Sequence, residues 1–239
     1  MKIAAPILVA AQLTAATSDS APAWEYQADL DLSGRSGSAA GSGLNGGAKA
    51  EYKDKIAKLD FSARINRLTS DGQTSADDFH LAGSSERNFG EAVFWYVRAD
   101  AGYDHARSLD FLSVAALGYG CRLMDDAAGS LSLRLGLGHR QEESSLAAGP
   151  DVSALAGDLG LSFDRELGWA KLSLVLSVVP ALDDVSDVYA RNEVSLEFLG
   201  GQGPLSLRLG LLQDYRSKAT GTLSELDNTY FLRVVYKWK

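Results

Sequence analysis

Asn228 to Lys239, the end of the chain, reads N-T-Y-F-L-R-V-V-Y-K-W-K. Tyr230, Leu232, Val234, Tyr236 and Trp238 fall on every second position, with Thr229, Phe231, Arg233, Val235 and Lys237 between them. Successive side chains of a strand point to opposite faces, so one face here is apolar with aromatic ends and the other is mostly polar. An aromatic stripe of this kind invites aggregation in water, but it suits lipid, with Tyr and Trp at the interfaces. The stretch predicts a strand of a membrane-spanning barrel.

The same alternation runs through the rest of the chain. Trp24, Tyr26, Ala28, Leu30 and Leu32 oppose Glu25, Gln27, Asp29, Asp31 and Ser33, a separation that helical spacing cannot produce. A Gly/Ser loop is expected over Gly34 to Gly43. Ala48, Ala50 and Tyr52 follow, then a tight turn near Asp54-Lys55, then Ala57, Leu59, Phe61, Ala63 and Ile65. A polar loop over Thr69 to Asp77 precedes a weaker strand from Asp78 to Arg87. Further runs begin at Val93, Leu109, Leu131, Leu155, Leu172, Val188 and Leu205, and polar loops are expected over Gln141 to Asp151, Pro180 to Asp187 and Ser217 to Leu226. In the run from Leu109, Leu112 and Val114 sit on the face opposite the other apolar residues. The pattern amounts to about 12 strands of roughly nine to twelve residues, long enough to cross a bilayer at a barrel tilt. Connections are expected to alternate between long and short, as outer loops and periplasmic turns do in an all-β, antiparallel up-and-down transmembrane barrel.

Composition agrees with that class. The chain has 239 residues, 24 Gly and only 5 Pro, and a mean hydropathy near zero, far below that of a helical membrane protein. No apolar run approaches the roughly 18 residues that a spanning helix needs. The net charge of -8 argues against nucleic acid, which calls for a basic patch. A single cysteine, Cys121, makes no internal disulfide. At the N-terminus, Met1-Lys2, the small apolar stretch Ile3 to Ala16 and Ala21-Pro22-Ala23 have the layout of a secretory signal. The expected division is therefore a cleaved leader over 1–23 and a barrel over 24–239 in the bacterial outer membrane.

A soluble barrel or sandwich also alternates. Here, however, charges of both signs lie almost entirely on the face opposite the leucines, and twelve such strands would enclose more volume than an apolar filling of these side chains supplies. Leu133, Leu135, Leu174, Leu196, Leu209 and Val234 are accordingly expected to meet lipid, and Arg134, Lys171, Glu197, Arg208 and Arg233 to point inward.

The strands also carry a family resemblance. Ser33-Gly34 through Asn45, the Phe94-Trp95-Tyr96 strand followed by Tyr103-Asp104, Leu109-Asp110 leading to Gly118-Tyr119-Gly120, and Asp227-Asn228-Thr229-Tyr230 resemble the salt-induced outer-membrane protein group, a YdiY-like family of unknown function. The chain departs from it where Lys239 follows the terminal Trp238 and where Arg35 replaces an expected Asn. The resemblance implies a barrel in the outer membrane and no catalytic residues.

The expected function is a narrow pore for ions or small solutes. Arg64, Arg98, Asp100, Arg134, Asp158, Asp164, Arg191, Glu193, Arg208 and Arg233 would line its lumen, where rings of charge set ion preference. The alternative is a structural, stress-related envelope barrel with a plugged lumen; a lipid-modifying enzyme ranks below both. A nucleophile needs a base in reach and a third group to orient it. His80, His105 and His139 show no i, i+2 pairing with Ser108, Ser144 or Ser145, so no catalytic residue is expected. No cofactor or metal is expected either, and the acidic loop Asp183, Asp184, Asp187 matches no calcium-loop spacing. Expected partners are outer-membrane lipid and lipopolysaccharide, the barrel-assembly machinery, and small solutes or ions. Cleavage mapping of membrane-fractionated protein should find a mature chain starting at Trp24; soluble, uncleaved protein would contradict this reading.

Overall fold

The computed structural model describes residues 23–38, 40–70, 73–145, 151–199, 203–219 and 223–239. Nearly all of the expected leader lies outside them. Twelve strands follow one another: β1 (Ala23–Ser36), β2 (Gly41–Lys53), β3 (Ala57–Ser70), β4 (Gln73–Asn88), β5 (Val93–Asp104), β6 (Leu109–Asp126), β7 (Gly129–Ser144), β8 (Val152–Glu166), β9 (Ala170–Pro180), β10 (Val188–Leu199), β11 (Leu205–Arg216) and β12 (Leu226–Trp238). Each pairs antiparallel with its sequence neighbours, and β12 returns to β1 to close the barrel. That seam runs without a break from Tyr26 opposite Trp238 to Ser36 opposite Asn228. Closure leaves no edge, so every strand has a partner on both sides for its backbone N–H and C=O groups.

The phase of the alternation is the one lipid requires. Leu135, Leu117 and Leu32 are 65, 66 and 61 % exposed on the outer wall, and Leu133, Leu209 and Val234 are exposed with them. Leu174 and Leu196 are half-buried. Lys171, Glu197, Arg208 and Arg233 are buried inside, with Arg134 beside them. A contiguous apolar wall of this extent is far larger than a water-soluble monomer tolerates. Aromatic residues gird its ends. At the end carrying the chain termini, Trp24 packs on Tyr52 at 5.4 Å and Tyr26 on Trp238 at 5.7 Å, and Trp169 meets Phe198 at 5.7 Å. At the opposite, loop end, Phe79 meets Tyr103 at 6.3 Å.

The strands are longer than the sequence pattern suggested. β6 has 18 residues, and the expected loops Gly34 to Gly43 and Thr69 to Asp77 shrink to 37–40 and 71–72. Polar residues in these stretches still find ladder partners, Arg35 opposite Gly41 and Asp77 opposite Arg67. Polarity stops a strand from facing lipid, but it does not stop it from pairing. The alternation of long and short connections therefore holds in the second half, with 145–151, 181–187 and 217–225 against 127–128 and 167–169, and fails in the first.

β6 departs from clean alternation for a physical reason. Register shifts between Leu109 and Phe111 and between Arg122 and Met124 mark irregularities in its ladder. Its inner face carries Leu109, Leu112 and Val114, which pack with Ala156, Val179 and Tyr189 into a small apolar core inside the barrel. Nearby, inward glycines make room for large neighbours. A Cβ on Gly120 would lie 2.1 Å from the ring of Phe94, and one on Gly210 2.2 Å from the ring of Phe231, each directly across the ladder.

An arginine at mid-height on the lipid wall costs about 2 to 4 kcal/mol. Leu135→Arg and Leu209→Arg should therefore impair folding badly. Cysteine scanning of Leu205 to Leu212 in a Cys121→Ser background should label the odd positions with a lipid-soluble thiol probe; the opposite phase would contradict the fold's orientation in lipid.

Candidate functional site

The period of two puts every second residue of each strand inside the barrel, and much of that inner surface is ionic. At mid-height Arg98 on β5 reaches across to Asp158 on β8, Nη2 to Oδ1 at 2.7 Å and Nε to Oδ2 at 3.1 Å. Its Nη1 donates to Asp100 at 2.6 Å. The Tyr96 hydroxyl donates to Asp158 at 2.6 Å, and Arg134 approaches the same carboxylate at 3.3 Å while lying over the Tyr96 ring at 5.0 Å. Arg98 is 1 % exposed and Asp158 0 %. Dry charges persist only when paired and hydrogen-bonded, and Asp158 meets two guanidiniums and a phenol.

A second cluster stands on the β1, β3 and β12 side. Arg64 donates to Asp31 at 2.6 Å and to Asp29 at 2.8 Å, and Arg233 donates to Asp31 at 2.8 Å and lies 3.7 Å from Glu193. Towards the loop end, Arg35 pairs with Asp104 at 2.7 Å and with Asp78 at 3.4 Å. Arg107, in the 3-10 turn His105–Arg107, pairs with Asp227 at 2.8 Å. Arg191 on β10 lies 3.2 Å from Nδ1 of His80 on β4. Those two strands are six apart in a ring of twelve, so this contact crosses the lumen. Arg208 with Glu197 at 2.5 Å and Asp164 with Lys171 at 3.4 Å form a layer nearer the termini.

Of the ten residues named as a lumen lining, Arg64, Arg98, Asp100, Asp158, Asp164, Arg191, Arg208 and Arg233 are buried and Arg134 and Glu193 half-buried, all as members of ion-paired clusters and not as a ring of free charges. Asp31, Arg35, Asp78, His80, Asp104 and Tyr96 complete these clusters and were not among the residues expected to line the lumen. Arg35 lay in what read as a loop, and Asp78 at what read as a strand edge.

Among the cavities lined by described residues, the one between these clusters measures ≈ 30 Å³ and is bordered by Arg35, Arg64, Asp78, His80 and Arg191. That is room for water alone. A hollow of ≈ 400 Å³ opens at the loop end among Arg107, Glu142, Ser153, Asp187, Arg216 and Lys218. Another of ≈ 250 Å³ lies by the termini among Glu25, Lys49, Glu51 and Lys237.

Two of the three carboxylates of the acidic loop are paired within the chain. Asp187 pairs with Arg140 at 2.5 Å, and Asp184 pairs with Lys218. The hydrogen bond from Lys218, with others from Ser186, pulls the Asp184 carboxyl down to about 2. No group of three or more metal-ligating side chains occurs among the described residues. His105 stacks on Tyr103 at 4.6 Å. His139 does not meet Ser144, whose amide is bonded to Asp151 at 3.0 Å; it meets Ser153 across the strand pair, Nε2 to Oγ at 3.2 Å. Sequence spacing within one strand could not have found that pair.

The profile of a family described as "Protein of unknown function, DUF481" matches residues 28–238. No curated protein matches the chain in sequence. Among solved structures, the NanC porin superposes with a TM-score of 0.59 at 9 % identity, over 88 % of this chain and 100 % of its own. The COG4313 outer membrane channel from Pseudomonas putida F1 gives 0.53 at 10 % identity, over 95 % of this chain and 100 % of its own. At such identities these likenesses show a shared fold, the outer-membrane type of β-barrel.

Removing one partner of a buried ion pair leaves an uncompensated charge, at a cost of about 3 to 5 kcal/mol. Asp158→Ala should therefore lower the denaturant midpoint of the folded barrel sharply, as followed by heat-modifiable gel migration. Lys218→Ala, at the exposed loop pair, should leave it unchanged.

Proposed function

The chain belongs to the DUF481 family, whose function is unknown, and we propose that it is a narrow outer-membrane channel that stands closed at mid-height. The observation that carries this reading is the contact of Arg191 with His80 between opposite strands. A conducting path would have to part that pair. On either side of it lie the two end hollows, which give a solute access from both faces to a closed middle. The fold shared with a porin and with an outer membrane channel supports the same class. Lipid and lipopolysaccharide against the leucine wall, and the machinery that assembles such barrels, are the partners this reading calls for. Small ions or solutes are the cargo.

A permanently sealed, structural envelope barrel is the second reading. What favours it is the pairing of Asp158, held by Arg98, Arg134 and Tyr96 at once.

Single-channel recording in planar bilayers separates the two. The native protein should be silent for most of the record, with brief steps, and the double variant His80→Ala, Arg191→Ala should conduct for longer and at a larger step. Steady large steps from the native protein would overturn closure. Silence of both proteins over many insertions would favour the sealed barrel.

A further inference from the structure

The outer wall carries a chemical pair that the lumen does not explain. His139 on β7 and Ser153 on β8 both point outward and are exposed. In the β7–β8 ladder, Gln141 stands opposite Ser153 and His139 opposite Leu155, so His139 and Ser153 are diagonal neighbours. Such neighbours lie within reach of long side chains, and here Nε2 of His139 is 3.2 Å from Oγ of Ser153.

The height of the pair matters as much as its geometry. One step down each strand lie Leu137 and Leu155, 62 and 69 % exposed on the lipid wall. One step up lie Gln141 and Asp151. Both strands therefore pass from apolar to polar at the level of His139 and Ser153, which is the boundary where the acyl esters of a membrane lipid sit. In a barrel with both termini in the periplasm, that boundary belongs to the outer leaflet. An ester lying on this wall places its acyl chain down over Leu137 and Leu155 and its polar part level with Gln141 and Asp151.

We propose that Ser153 and His139 are the nucleophile and general base of an esterase site that cleaves acyl esters of lipids in the leaflet against this wall. A serine hydroxyl is a weak nucleophile until a neighbouring base takes its proton, and a separation of about 2.6 to 3.2 Å allows that transfer. Ser153 Oγ adds to the ester carbonyl as its proton moves to His139 Nε2. The bond from the carbonyl carbon to the alcohol oxygen breaks, and His139 returns the proton to the departing alkoxide. Water then adds to the acyl-serine, giving its proton to His139; the bond from the carbonyl carbon to Ser153 Oγ breaks, His139 returns the proton to Oγ, and the fatty acid leaves. Water is the one co-reactant, and nothing is oxidised or reduced.

The proposal rests on the lipid-facing wall and is independent of whether the lumen opens. Its test uses the full-length barrel in detergent micelles, checked for folding by heat-modifiable migration, with a serine-directed fluorophosphonate probe and a p-nitrophenyl acyl ester. The expected result is mass-spectrometric labelling at Ser153 and ester hydrolysis above the micelle blank. Ser153→Ala should abolish both, and His139→Ala should lower both by at least about a hundredfold, the share of a general base. Ser144→Ala should leave both unchanged. Folded native protein with neither labelling nor hydrolysis, or labelling indifferent to His139→Ala, would overturn the proposal and leave the channel reading standing.

Discussion

Lipid offers no hydrogen bonds, and from that constraint the rest of this molecule follows. A sheet in the membrane survives only if its first and last strands find each other, because any free edge would expose backbone N–H and C=O groups to hydrocarbon. β12 meets β1 from Asn228 to Trp238 without a break. Closure then couples to the period of two. If the leucines of β7 and β11 face lipid, Arg134 and Arg208 cannot, and each strand delivers its charges to a shared interior.

The interior must in turn satisfy what it receives. A wide barrel would leave the charges hydrated, whereas this one holds them dry. Arg98 reaches Asp158 three strands away, and Arg191 reaches His80 on the opposite wall. The space is shared out by size. Glycines on β6 and β11 let Phe94 and Phe231 lie flat against the wall, and the apolar face of β6 packs on Val179 and Tyr189. What occludes the lumen is its own wall side chains, reaching across from strand to strand.

Most of this architecture was legible in the sequence, because the period of two is local and each strand states its own faces. Leu131 to Leu137 against Ser132, Arg134, Gly136 and Gly138 settles which residues share a side before any partner is known. Strand ends were less legible. Arg35 is flanked by Gly34 and Ser36, yet it pairs with Gly41 and Thr229, because the ladder outlasts the lipid-facing stripe. The site was least legible. Alternation says that Asp158 faces inward, but not that Arg98 lies at its height, which depends on the stagger accumulated over three strand pairs. The same limit hid His139 and Ser153, whose approach is set by the β7–β8 register and not by spacing along either strand.

The seam between β1 and β12 carries a further consequence, for how the fold detects its own errors. Asp31 stands directly opposite Arg233, and the two are hydrogen-bonded although 202 residues apart in the chain. A slip of one residue would turn Arg233 into lipid. A slip of two would preserve every inside and outside face, so hydrophobicity could not sense it. In one direction it would set Arg233 opposite Asp29, which it already approaches at 3.8 Å; in the other it would set Arg233 opposite Ser33 and leave Arg64 to hold Asp29 and Asp31 alone. Pulling a buried guanidinium away from two carboxylates is costly enough to disfavour the second register. The ion pair at the closing seam thus gives the register a direction that the lipid-facing stripe does not.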